Sequence, residues 1–214
     1  MYSILLIGRP GSGKGTQADL LKKRLDFEII TAGDLLREKK KENNFTGKKL
    51  KIAMDTGDLM PTIVISSIWF KKLEELKNSN NKKSIVFDGF ARKLIEAELL
   101  FQALDWFELG GVFKVIYIDI SAKESANRIR KRKMCDKCKT IFMGDYQGDK
   151  CDKCNDNLII RGDQTEEAIK KREQQFIKET MPVLDYFKER GVFRTVNGEQ
   201  PVEDVYNEII KTLD

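Results

Sequence analysis

The chain has 214 residues, 41% of them apolar, which is enough to bury a hydrophobic core, and no apolar run reaches the roughly 20 residues of a membrane-spanning helix. The formal net charge of +5 suits anionic small molecules, although the lysine-rich segments also carry glutamates and are expected to form solvated surface. No histidine is present, which excludes imidazole catalysis and histidine metal ligands, and a cytoplasmic protein without membrane association is the default expectation.

A buried strand, a glycine-rich turn and a helix open the chain. Residues 4–7 form a continuous apolar run, as expected of a parallel strand covered on both faces. The glycines of the turn let backbone N–H groups point at phosphate oxygens, and Lys14 adds a mobile cation. The hydroxyl stands one place later than usual, at Thr16, so the common magnesium-ligand role of the residue after the lysine is not assigned. The predicted phosphate-binding residues are Gly11, Ser12, Gly13, Lys14, Gly15 and Thr16.

Asp88 stands at the tip of a third predicted strand, at residues 84–87, after a second strand at 27–31 and a helical insertion at 32–61. A carboxylate at the end of a buried strand is costly unless it is used. In a phosphate-binding protein its usual use is to hold magnesium, directly or through water. A turn-initiating aspartate before Gly89 is the alternative.

The four cysteines form two Cys-x-x-Cys pairs separated by twelve residues, and they follow a basic helix that carries Arg128 and Arg132. Four thiolates predict a closed tetrahedral zinc site of structural role, although iron fits the same ligands. A redox disulfide would use one pair, and structural disulfides are disfavoured in a cytosolic chain. The predicted ligands, which would staple a small β-rich flap, are Cys135, Cys138, Cys151 and Cys154.

Five apolar strands alternate with helices, the last two at residues 114–120 and 193–196. Right-handed crossovers then predict an α/β fold with a doubly wound parallel sheet and helices on both faces. Pro182 predicts a kink in the helix that precedes the last strand. We expect a core of residues 1–31, 62–126 and 164–214, a helical insertion at 32–61 and a metal-binding β flap at 127–163.

A phosphate cradle, a candidate magnesium carboxylate and several arginines, without an obvious nucleophile, favour phosphoryl transfer. Its transition state places charge on equatorial oxygens, so that catalysis consists of positioning and charge stabilisation. An acceptor that is itself a phosphate needs no side-chain base. The absence of histidine is therefore compatible with this reaction.

Over its whole length the sequence resembles the adenylate kinases, in particular the long bacterial form with a zinc lid. The motifs that carry the resemblance are Gly8-x-Pro10-Gly11-x-Gly13-Lys14-Gly15-Thr16, Gly33-Asp34-x-x-Arg37, Asp88-Gly89-Phe90-x-Arg92, the arginines at 128, 132 and 161, and the four cysteines. The resemblance implies the reaction MgATP + AMP to two ADP. It also implies that residues 32–61 close over AMP and that the flap closes over ATP.

The resemblance also implies residue roles. Lys14 would bind the ATP phosphates, Arg128 would stack on the ATP base, and Asp88 would hold magnesium through water. Arginines at 132, 161 and 172 would neutralise the transferring group, together with Arg92. The implied AMP-binding residues are Thr31, Ala32, Arg37, Gly89, Arg92, Glu96, Arg161 and Arg172. A cytoplasmic monomer with ATP, AMP and ADP as its only partners is expected, without nucleic acid.

The chain departs from the family pattern at four positions. Ala32 replaces a serine near AMP, and Gln164 replaces the second of two aspartates after the lid. Ala91 replaces a proline that is often cis, and because a cis alanine costs roughly 3 kcal/mol we expect a trans bond there. Glu96 replaces a glutamine that reads the AMP base, and a carboxylate better suits the N–H edge of guanine.

Three other functions stay open at this stage. The first is a monophosphate kinase whose acceptor base has shifted, for example to GMP. The second is a zinc-ribbon nucleic-acid-binding protein with a P-loop, against which the few aromatic and many acidic residues of the flap argue. The third is a non-catalytic nucleotide-binding regulator.

Overall fold

The computed structural model describes residues 1–55, 58–79, 83–138, 140–142, 146–160 and 164–213. The elements in chain order are β1 (Tyr2–Ile7), α1 (Lys14–Leu25), β2 (Glu28–Thr31), α2 (Ala32–Lys39), α3 (Phe45–Asp55), α4 (Thr62–Asn78), β3 (Ile85–Asp88), α5 (Leu94–Trp106), β4 (Val112–Asp119), α6 (Ala122–Lys131), β5 (Lys133–Cys135), β6 (Ile141–Phe142), β7 (Leu158–Ile159), α7 (Glu166–Gln175), a π-helical segment (Phe176–Thr180), α8 (Met181–Glu189), β8 (Phe193–Asn197) and α9 (Val202–Lys211). Across the described ranges, no helix has both the length and the apolar character needed to cross a bilayer.

The main sheet has five parallel strands in the order β2-β3-β1-β4-β8, which confirms the predicted doubly wound fold. From β1 the chain builds outward to one side through β3 and β2 and to the other through β4 and β8. Asp88 at the end of β3 lies opposite Leu6 of β1 and Thr31 of β2. The turn after β1 therefore shares one edge of the sheet with Asp88 and Thr31, where ligands bind in open α/β sheets.

Helices cover both faces of the sheet because the side chains of β1 alternate between two apolar cores. Leu5 and Ile7 belong to the core that includes helices α4, α5 and α8, whereas Ile4 and Leu6 belong to the core that includes α1 and α9. The two cores use fully buried residues from both sheet and helices, which fixes the sheet edge as a rigid platform for the turns.

The flap that carries the cysteines contains a three-stranded antiparallel sheet in the order β6-β5-β7. Among the described residues of the flap, the buried core consists of Cys135, Phe142 and Cys151, with Tyr146 packed 4.3 Å from Phe142 between ring centroids. So small a core gives little stability by itself. A metal held by the cysteines would supply the missing constraint.

The helix that contains Pro182 changes its hydrogen-bonding pattern before the proline. A π-helical segment separates α7 from α8, and Pro182 lies in the first turn of α8. A proline in the first turn of a helix is tolerated because the N–H that it lacks would have no partner within that helix.

Candidate active site

The turn between β1 and α1 forms a cradle around the Lys14 ammonium group. Lys14 Nζ donates to the carbonyl oxygens of Gly8 at 2.8 Å and Arg9 at 2.9 Å, and it lies 3.3 Å from Ser12 Oγ. Gly13 has a φ of 95°, a conformation that residues other than glycine rarely adopt. No side chain caps the N-terminus of α1. The first N–H groups of α1, where Gly15 and Thr16 lie, are therefore available to an anion.

Charged side chains from four segments of the chain meet beside this cradle and are called here the phosphate cluster. Burial lowers the pKa of Lys14 to about 8, and three neighbouring arginines act in the same direction, with Asp88 opposing. The members of the cluster are Lys14, Asp88, Arg92, Arg132 and Arg172. The resemblance implies a role in phosphoryl transfer for all five; Arg161, for which it implies the same role as for Arg132 and Arg172, lies outside the described residues.

The pKa values of Asp88 and Arg92 are also shifted by burial and by neighbouring charges. Burial raises the pKa of Asp88, with Lys14 and Arg92 opposing, and burial together with Arg172 lowers the pKa of Arg92. Asp88 Oδ2 lies 3.8 Å from the position that a Cβ on Gly15 would take, which places this carboxylate against the start of α1. The cluster thus combines one carboxylate with an excess of cations, as a bound polyphosphate requires.

The predicted acceptor residues line the neighbouring strand ends. Thr31 ends β2 and Ala32 begins α2, and the Cβ of Ala32 lies 3.7 Å from the position of a Cβ on Gly89. Arg37 donates to Asp34 Oδ1 at 2.5 and 3.1 Å. These residues therefore lie at the same sheet edge as the cradle.

The loop that contains Ala91 has an unusual backbone conformation. Every peptide bond in the described ranges is trans, which agrees with the bond predicted for Ala91, but the residue has a left-handed φ of 51°. Glu96 is 5% exposed, and its Oε2 accepts a 2.9 Å hydrogen bond from the backbone N–H of Arg92. Burial raises the pKa of Glu96. Glu96 therefore holds the loop that carries Arg92.

Helix α6 packs against the cradle and brings Arg128 beside it. Ser125 Oγ donates to the carbonyl oxygen of Pro10 at 2.6 Å, and a Cβ on Gly11 would lie 3.5 Å from the Cβ of Arg128. Arg128 Nε donates to Glu124 at 2.7 Å. At the end of α6, Gln164 donates to the carbonyl oxygens of Arg132, at 3.0 Å, and Ile129, so this substituted residue joins α6 to the start of α7.

The four cysteines come together as predicted. Their sulfur atoms all lie within 4.8 Å of one another, with 3.4 Å between Cys135 and Cys154 and between Cys138 and Cys151. Zinc–sulfur bonds of about 2.3 Å in a tetrahedron separate the sulfurs by about 3.8 Å, so the cluster fits that ion. All four cysteines are free thiols in the structure.

A family model of adenylate kinase matches residues 6–192. The chain belongs to this family. An adenylate kinase of Chlamydia trachomatis serovar D is 34% identical over 220 residues, covering 98% of this chain and 89% of that protein. An adenylate kinase of Caldicellulosiruptor bescii is 34% identical over 215 residues, covering 98% of each chain, and one of Petrotoga mobilis is 33% identical over 214 residues, covering 98% and 96%. The protein is therefore an enzyme, a phosphotransferase of the family that acts on nucleoside monophosphates.

Sequence reasoning missed one part of this adenylate kinase site, the side chain of Arg9 inside the phosphate-binding turn. Arg9 Nε donates to Glu173 at 3.0 Å, and Nη1 donates to the carbonyl oxygen of Ile120 at 3.0 Å and to the Tyr117 hydroxyl at 3.2 Å. Tyr117 in turn donates to Asp119 at 2.7 Å. The available signal was an arginine in the turn and a glutamate directly after Arg172.

Proposed function

We propose that the enzyme catalyses MgATP + AMP to two ADP. The phosphate cluster is the observation that carries this proposal, because it brings four cations from four segments of the chain to a phosphate cradle. Neutralising the charge of a transferring phosphoryl group is the main catalytic requirement of the reaction. We also propose that the protein is a cytoplasmic monomer, as the sequence analysis predicts.

On the donor side, the cradle and Lys14 bind the ATP phosphates. The lowered pKa of Lys14 reflects first the burial of its ammonium group and then the three neighbouring arginines, and the negative charge of a polyphosphate would favour the protonated form. Arg128 lies next to the cradle, where its guanidinium plane can stack on the ATP base. Arg132, Arg172 and Arg161 stabilise the transferring phosphoryl group.

On the acceptor side, Arg37 and Arg92 bind the AMP phosphate. Arg37 lies in α2, directly after β2, and Arg92 lies in the loop after β3, so both follow strands that end at the same edge of the sheet as the cradle, which supports this assignment. The attacking oxygen then belongs to the AMP phosphate, so no side chain has to abstract a proton.

Two metals fit the residues present. Asp88, a carboxylate against the start of α1, would hold Mg²⁺ through water, and Mg²⁺ bound with ATP would neutralise charge on the phosphates. The four cysteines would hold a structural Zn²⁺. We further propose that residues 32–61 close over AMP and that 127–163 form a lid that excludes water during transfer.

A coupled assay of ADP formation from ATP and AMP tests the proposed reaction. Wild-type enzyme should produce two ADP for each ATP consumed, and Lys14→Ala should lose at least about 100-fold in kcat, the scale seen when one charge-stabilising group is removed. ATP hydrolysis without dependence on AMP, or no ADP at all, would refute it.

A second acceptor, GMP, is favoured by one observation. Glu96 is a buried acid at the position that the resemblance assigns to base recognition. A carboxylate accepts hydrogen bonds and matches the N–H edge of guanine. Comparing kcat/KM for AMP, GMP, CMP and UMP decides between the two acceptors, and a clear preference for GMP would replace AMP in the proposed reaction.

A further inference from the structure

We infer that Arg9 and Glu173 form a positioning pair that fixes helix α7, and with it Arg172, against the phosphate-binding turn. The inference rests on the proposed function, because it assigns the pair a role in the same phosphoryl transfer. Neither side chain is proposed to contact the reacting groups. Both act by holding the element that carries Arg172.

The contacts of Arg9 turn its guanidinium group inward, towards α7 and β4. Its Nε donates to Glu173, and its Nη1 donates to Tyr117 and to the carbonyl oxygen of Ile120. The guanidinium carbon also lies 4.9 Å from the ring centroid of Phe176, the first residue of the π-helical segment. The side chains of Arg9 and Glu173 are only 17% and 22% exposed, so the ion pair is screened far less than a surface pair.

Arg9 is joined to the reacting groups through its own backbone. Its carbonyl oxygen accepts from Lys14 Nζ at 2.9 Å and from the N–H of Ser12 at 3.1 Å. Its side chain reaches Glu173, the neighbour of Arg172 on α7. One residue therefore connects the lysine of the phosphate cluster to the helix that carries one of its arginines.

Three successive residues of α7 contact three different parts of the protein. Lys171 forms a 2.6 Å ion pair with Asp58 of the helical insertion, Arg172 belongs to the phosphate cluster, and Glu173 binds Arg9. Successive residues of an α-helix point about 100° apart, so anchors on both sides of Arg172 restrict the rotation of α7. Small misplacements matter here because a shift of about 1 Å can reduce a rate by about 100-fold.

Kinetics of the Arg9→Met and Glu173→Gln variants test the inference. Each should lower kcat by roughly 10- to 100-fold with a smaller change in the KM for ATP, because the transition state depends on Arg172 more than ground-state binding does. Arg9→Lys, which keeps the charge but not the geometry of the donors, should fall between wild type and Arg9→Met.

The decisive measurement is made in an Arg172→Ala background. If Arg9 acts through Arg172, the double variant Arg9→Met with Arg172→Ala should be no slower than Arg172→Ala alone. Independent losses that multiply would overturn the inference. Arg24→Met is the matched control, because Arg24 pairs with Glu203 at 2.7 Å and lies 4.6 Å from the Tyr206 ring, away from the phosphate cluster, and it should leave kcat unchanged.

A readout without turnover separates this inference from the proposed reaction. Amide hydrogen exchange in residues 166–180 should be faster in Arg9→Met than in wild type and unchanged in Arg24→Met. If the wild type forms no ADP, the proposed reaction fails while the exchange rates still decide whether Arg9 holds α7. Unchanged exchange in Arg9→Met would overturn the inference.

Discussion

The backbone N–H of Arg92 donates a 2.9 Å hydrogen bond to Oε2 of Glu96. The residue expected to read the acceptor base therefore also holds the loop that carries an acceptor arginine. Glutamine can accept the same hydrogen bond and also donate to adenine. We expect Glu96→Gln to raise the ratio of kcat/KM for AMP over GMP by about 5- to 150-fold, the equivalent of about 1 to 3 kcal/mol for one buried polar mismatch.

Two further variants control this experiment. Glu98→Gln removes a carboxylate from an exposed position on the same helix and should leave the ratio unchanged. Glu96→Ala removes the acceptor for the Arg92 amide and should weaken both substrates alike. An unchanged AMP to GMP ratio in Glu96→Gln would show that Glu96 does not contact the base.

Lys14 should take up protons when a polyphosphate binds. Its pKa of about 8 in the free protein leaves it about half protonated at pH 8, and nearby phosphate charge restores the protonated form. Calorimetric titration with ATP at pH 8, in two buffers of different ionisation enthalpy, should therefore show uptake of about half a proton.

The lysine is identified by substitution. Lys14→Arg keeps a positive charge that does not titrate near pH 8, so the buffer-dependent part of the heat should disappear while binding remains measurable. Equal proton uptake in Lys14→Arg would assign the effect to another group.

Residue patterns predicted the sheet, the cradle and the cysteine site because each depends on local sequence. Apolar runs were enough to predict the strands, and glycines at fixed spacing before Lys14 were enough to predict the cradle. Contacts between distant segments could not be predicted this way. Arg9 and Glu173 are 164 positions apart, so the sequence shows both charged residues but not that they form an ion pair, and the left-handed backbone of Ala91 has no signature in the sequence nearby.

Asp88 should make the protein less stable as pH rises above about 4, the ordinary value for a free aspartate. Burial raises its pKa in the native state, so between that ordinary value and the raised one the native state binds more protons than the unfolded state. The stabilisation is full below the ordinary value and is lost as pH rises through the raised native value.

Denaturant unfolding across this pH range, in wild type and Asp88→Asn, measures the effect. The variant should show a shallower decline in unfolding free energy and higher stability at pH 7, with reduced kinase activity. Part of the decline should remain, because burial also raises the pKa of Glu96. Identical pH profiles would show that Asp88 is not the group responsible.

The flap should depend on metal while the main sheet does not. In the part of the flap that the structure describes, the buried core consists of Cys135, Phe142 and Cys151, whereas the two cores of the main sheet contain none of the cysteines. Metal analysis should give one ion per chain, zinc if the proposed ligand set holds, and iron would be recognised by visible absorption.

Removing the ion with a chelator should accelerate amide exchange in 133–160 and leave exchange in β1 and β4 unchanged. Turnover should fall as well, because Arg132 of the phosphate cluster directly precedes β5. Cys151→Ser should show the same faster exchange without any chelator. If neither the chelator nor Cys151→Ser changes the exchange rates of the flap, the metal has no structural role there.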